Sequence, residues 1–253
     1  MKWALGFLAL LLVPLLLLLV VWFYFTYPSY FHFSYPSYTH HYRLTLEVEA
    51  AGEVHSGSGV IAVAWHWREP PDVYRAWSDT VQGQAVAVDL GRRGLLIARL
   101  EDEGNFGGVS IQEIAQIVIS GAVAETPPAA GVKGYLAAWQ LSRATRTALG
   151  RLEGRRLALS PSGAMPSLVW LPDPGNPTSA VPVPRADLLP TIVPDAHLRG
   201  AWIEITHDPV TTDLFARLPW LAERYQSEKG SGRSDTRGVL KLPAWTLTRR
   251  IDP

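Results

Sequence analysis

The chain has 253 residues, 23 Lys and Arg against 23 Asp and Glu, 47% hydrophobic residues and no cysteine. Zero net charge gives no electrostatic ground for nucleic acid as a partner. Without cysteine there are no disulfides, no thiolate metal sites and no lipid-modified N-terminal cysteine.

After Lys2, residues 3–25 form one apolar run. At 1.5 Å per helical residue it is about 34 Å long, enough to cross a hydrocarbon core of about 30 Å. Pro14 lies inside the run and is expected to kink the helix, because in lipid no water competes for the backbone. A cleaved signal has a shorter apolar core and small residues at its cleavage site. Here the run ends in Tyr24 and Phe25 and is followed by Thr26, Tyr27 and Pro28, so residues 1–26 read as a retained transmembrane signal anchor. Positive charge lies only before the run until Arg43, which places the N-terminus in the cytoplasm and the rest outside it. The expected location is the inner (cytoplasmic) membrane, single-pass, with the C-terminal domain periplasmic or extracellular.

Residues 22–42 hold eleven of the chain's 26 aromatic residues, with Tyr27-Pro28-Ser29-Tyr30 echoed by Tyr35-Pro36-Ser37-Tyr38. A proline in each copy opposes helix and favours an extended or turn-rich path. Amphipathic rings are favoured at headgroup depth, so Trp22, Tyr24, Tyr27, Tyr30, Tyr35 and Tyr38 are the expected membrane-interface residues, and residues 27–41 a juxtamembrane segment. His32, His40 and His41 lack helical spacing and a nearby acid. They read as solvated or interfacial, and no metal or cofactor is expected.

Residues 42–225 have the composition of a folded domain. Tyr42, Leu44, Leu46, Val48 and Ala50 alternate with Arg43, Thr45, Glu47 and Glu49, the period of a strand with one buried face. Residues 51–53 read as a turn; strands are expected over 59–67, 81–90 and 94–100, the last two joined by a turn at Gly91-Arg92-Arg93. Short strands with tight connections predict an antiparallel sheet. Ser110 and Glu113 form a capping box, with Val109 and Ile114 as its staple, opening a helix to about residue 124. A second helix is predicted over 132–149 and short strands over 155–159 and 167–171. Nine of the twenty prolines fall between Pro161 and Pro194, which predicts loop or linker-like surface there. Residues 202–206 read as a strand, Asp208-Pro209 as a turn, and Thr212-Asp213 as a helix start with its acid at the favourable end of the dipole. Residues 226–253 read as a tail, either an edge strand or an arm. The predicted fold class is thus α+β: a transmembrane helix, then an extracytoplasmic domain with a mainly antiparallel sheet and two or three helices.

Several stretches carry a resemblance: Tyr42-Arg43-Leu44-Thr45-Leu46-Glu47-Val48-Glu49, the Ser56-Gly57-Ser58-Gly59 step, Gly83-Gln84-Ala85-Val86, and Asp208-Pro209-Val210-Thr211-Thr212 with Arg217-Leu218-Pro219-Trp220-Leu221. From about Tyr42 to Leu221 the chain resembles an uncharacterised family of proteobacterial single-pass membrane-anchored proteins. The resemblance implies a shared fold and a bacterial origin, and it assigns no functional residue.

Enzyme signatures are sparse. Gly57-Ser58-Gly59 lacks the spacing of a serine nucleophile elbow, no H-E-x-x-H occurs, and Gly104, Gly107 and Gly108 fit neither nucleotide fingerprint. His66, between two tryptophans, reads as a core or edge histidine. In His207-Asp208-Pro209 the acid is expected to organise the turn through backbone amides. The remaining enzyme reading is a periplasmic hydrolase or glycan-processing enzyme using carboxylates near strand ends, such as Asp89, Glu101 and Asp102. The favoured expectation is a membrane-anchored extracytoplasmic binding or structural module in a membrane-bound assembly. Its expected partners are the lipid bilayer and other membrane proteins.

Overall fold

In a computed structural model, the described residues are 14, 16–22, 37–72, 75–100, 111, 114, 118, 147–159, 165–228 and 247–249. The fold is α+β, built from two antiparallel sheets and few helices. The alternation at its start is realised: Tyr42, Leu44, Leu46, Val48 and Ala50 of β1 (Ser37–Ala50) are buried, while Arg43, Glu47 and Glu49 stay partly exposed. Burying each large side chain of this face contributes about 1.5–3 kcal/mol. The strand reverses through Ala51 and Gly52, both at positive φ, as a two-residue hairpin loop of type I′ requires. β2 (Glu53–Asp72) then pairs back along all of β1, from Ala50 opposite Glu53 to Ser37 opposite His66.

The first sheet continues on both sides of this hairpin. β3 (Arg75–Gln84) pairs with β2, and β9 (Ala196–Thr206) pairs with β1 through a register shift at Glu47 and Val48. Its edges are β6 (Arg156–Ala158) and β10 (Thr248–Arg249), giving the order β10-β3-β2-β1-β9-β6. The second sheet has the order β4-β5-β7-β8, from β4 (Val86–Asp89), β5 (Leu95–Ala98), β7 (Leu168–Leu171) and β8 (Val181–Val183).

Residues 81–90, expected as one strand, are two strands in different sheets. The chain leaves the first sheet after Gln84, and the Ala85 amide donates to the Leu247 carbonyl at 2.7 Å. Residues 83–88 are buried without a break across this change of sheet, so burial does not mark it. The sheets meet where β4 crosses β2. A Cβ on Gly57 would lie 2.4 Å from the Ala87 carbonyl oxygen, and one on Gly59 would lie 3.1 Å from Val86. Glycine therefore sets how closely the two layers approach.

Helical pieces cover the core. Ile111, Ile114 and Val118 are helical, the first two fully buried, and the Tyr42 hydroxyl donates to the Ile111 carbonyl at 3.0 Å. Ser110 and the rest of the capping box lie outside the described residues. Residues 147–152 are helical, so the second helix passes the expected end at 149 and stops before Gly154, whose φ is +70°.

The proline-rich stretch is not mere surface. It contains β8 and α1 (Leu189–Ile192), and Ala180, Val183, Leu189 and Val193 are at most 1% exposed. Its prolines sit where no amide is needed: Pro177 and Pro190 open helical turns, and Pro182 lies in a strand at the sheet edge.

Further on, α2 (Leu214–Arg217) is short and Pro219 opens α3 (Pro219–Glu228). Asp213 stands at the N-cap of α2 without a side-chain cap, its carboxylate 3.2 Å from Arg217. The Leu214 amide is instead capped by Gln84 Oε1 at 2.8 Å, across the fold. Two described segments cross the expected boundaries of the domain, since β1 begins at Ser37 and β10 comes from the tail. Among the described residues no helix is long and apolar enough to cross a membrane. The helical residues 16–22 are all exposed.

Candidate functional site

The first sheet ends in a cavity. His41 in β1 stands opposite Thr206 in β9, and the helix 147–152 ends against this pair of strands. The Gly154 amide donates to the Ile205 carbonyl at 3.1 Å, and Glu153 forms a parallel bridge with Ile205. Between helix end and strands lies a space of about 420 Å³. Its polar lining includes His40, His41, Glu153, Thr206 and His207; Leu149 and Ile205 line it with apolar surface.

Each polar group has a traceable position. His40 shares the inward face of β1 with Tyr42, two residues on, and is 7% exposed. Its ring lies between those of Tyr38 and Tyr42, at centroid distances of 6.3 and 6.2 Å. Burial, with a smaller contribution from neighbouring His41, pulls its pKa from 6.5 to about 4, so His40 is neutral at ordinary pH. This corrects the reading of His40 as solvated.

His41 occupies the opposite face, where its Nδ1 lies 2.7 Å from the Asp208 carbonyl oxygen. A carbonyl only accepts, so Nδ1 is the donor in this contact. The Asp208 carboxylate pairs with Arg43, and the Asp208 amide donates to Thr206 Oγ1 at 3.1 Å. The Asp208 carboxylate thus pairs with Arg43 instead of the turn's amides, where the sequence predicts it; the Thr206 hydroxyl braces the turn, and the Asp208 main-chain oxygen orients the His41 imidazole. His207 Nε2 meets Glu153 Oε1 at 3.1 Å. His207 is 84% exposed, so this contact is worth no more than about 1 kcal/mol.

Compared with protein families, curated proteins and solved structures, the chain matches none. Its site is therefore defined by chemistry alone. A concave, partly apolar space with a few convergent polar groups is equipment for recognition. Among the described residues no group of three or more histidines and acids is placed to hold a metal ion.

The residues singled out in the sequence fall in different places. Trp22 is exposed at the end of the described helical stretch. Tyr38 stands in β1, partly buried and packed against the core. Tyr24, Tyr27, Tyr30, Tyr35 and His32 lie outside the described residues, as do Glu101 and Asp102. His66 lies in β2 opposite Ser37 and Ser78. Asp89 Oδ1 accepts the Gly91 amide at 2.8 Å, which commits that carboxylate to a turn. Sequence reasoning missed Glu153 and the cavity itself, because Glu153 and His207 meet through a helix end and a strand end that no local spacing connects.

Proposed function

We propose that this protein is a membrane-anchored extracytoplasmic binding or structural module, held at the inner membrane by its N-terminal run and working within a membrane-bound assembly. The observation that carries this reading is the side-chain exposure of the described helical residues before the domain. Leu16, Leu17, Leu18, Leu19, Val20, Val21 and Trp22 are 48–66% exposed, an apolar surface that water disfavours and lipid accepts. Sequence hydropathy over residues 3–25 supports the same reading. Residues 23–36 join this run to β1 and reach at most about 50 Å when extended, which keeps the β1 end of the domain near the bilayer.

A periplasm-active reporter fused after Pro253 tests the placement. Activity of that fusion, with a cytoplasm-only reporter silent and the protein resisting alkaline extraction, is the expected outcome. The opposite reporter pattern defeats it.

A further inference from the structure

We propose that the cavity between the end of helix 147–152 and the β1–β9 strand ends binds an ammonium group carried on a small apolar body; this ligand class rests on reading the domain as a binding module. The charge of the lining points that way. Among the described residues that line it there is no Lys or Arg, and Glu153 supplies a carboxylate. Arg43, the nearest cation on β1, is taken up by Asp208. His40 is kept neutral by burial, and His41 turns its Nδ1 to the Asp208 main-chain oxygen at 2.7 Å. Thr206 adds a hydroxyl that accepts from the Asp208 amide.

The described lining thus offers a carboxylate and other acceptors, set beside Leu149 and Ile205. An anion would meet Glu153 without a permanent countercharge and lose its hydration. A neutral ligand would leave the carboxylate unused. An ammonium carries donors for the acceptors and charge for Glu153, and its alkyl part covers the apolar lining. Glu153 is half-exposed and, among the described residues, its carboxylate pairs with the largely exposed ring of His207, so an incoming cation can displace that contact at small cost.

The test uses the full chain in nanodiscs near neutral pH, with three probes of one size: n-butylammonium, n-butanol and butyrate. Ligand-observed NMR should show saturable binding of the ammonium and none of butyrate, with the alcohol at least about tenfold weaker. Glu153→Gln should weaken the ammonium by at least about tenfold and leave the alcohol unchanged, while Glu153→Asp, which keeps the charge, should retain binding within about threefold. His207→Gln removes the competing partner and should leave ammonium binding equal or tighter. Butyrate binding as well as the ammonium, or Glu153→Gln binding like the parent, overturns the proposal, as does the absence of saturable ammonium binding. Should Glu153→Gln fail to fold, loss of ammonium binding in the folded Glu153→Asp protein overturns it too. Failure of ammonium binding with the reporter pattern intact removes the ligand class alone; a cytoplasmic domain removes the placement and leaves the cavity chemistry standing.

Discussion

The middle of β1 and its beginning lie in the same strand but solve opposite problems. In the middle, Leu44 and Leu46 stand opposite Gly59 and Gly57, and β4 presses so closely on Gly57 that no side chain fits there, while at Gly59 the Val86 side chain would have to give way. At the beginning, His40 and His41 border an open space. Apolar residues facing glycine let two sheets close, whereas at the start of the strand the partly exposed His41 holds a polar partner where the sheet borders the cavity. Stability and recognition are therefore separated along one strand.

The separation is broken most directly by Gly57→Ala. Its new Cβ would collide with main-chain atoms of Ala87, which no side-chain rotation relieves. A loss of about 3 kcal/mol or more is expected in denaturant unfolding. An unchanged midpoint would mean the sheets are not in close contact there.

Acid should act next, at the other end. Free in the unfolded chain His40 titrates near 6.5, and in the folded protein near 4. Between those values the unfolded state binds more protons, so stability is complete above pH 6.5, falls as pH drops through this window, and levels off below about 4. The loss from this residue is about 3 kcal/mol. Chemical unfolding of the parent and of His40→Leu across that range checks it; parallel pH curves for the two proteins would rule out a buried neutral imidazole.

Smaller effects sharpen the contrast. Tyr42→Phe leaves the buried Ile111 carbonyl without its donor and should cost about 1–2 kcal/mol by thermal or denaturant unfolding. Burial also pushes the Tyr42 phenol pKa well above 10, so this contribution should not vary between neutral pH and mild alkali. Arg43→Ala, which removes an exposed partner of Asp208, should change stability by less than about 1 kcal/mol. The His41 contact uses the Asp208 backbone, so the His41 ring signal in NMR should move little in that variant.

What the sequence made legible was local and periodic. Alternation identified the buried face of β1, and the turn residues located Ala51-Gly52. The same alternation, carried two residues back from Tyr42, would have put His40 on the inner face; the Tyr-Pro-Ser-Tyr repeat drew that segment to the membrane instead. The prolines of 161–194 looked like loop because proline opposes hydrogen-bonded structure, yet Pro182 and Pro190 occupy positions that need no amide. The Gln84 cap on Leu214 and the Glu153–His207 contact were illegible for a different reason: each joins residues that only the tertiary fold brings together.

The last strand adds a matter of timing. β10 pairs Thr248 with Gln84 and sets the fully buried Leu247 beside the start of the second sheet. A ribosome adding about 5–20 residues per second takes roughly ten to thirty seconds to travel from one partner to the other. Throughout that interval the edge of β3 at Gly83 and Gln84 waits without this neighbour, a template open to another strand. At Gly83 and Gln84 the edge of β3 is thus closed by residues made long after it, and a chain halted before Thr248 would leave that stretch of edge open.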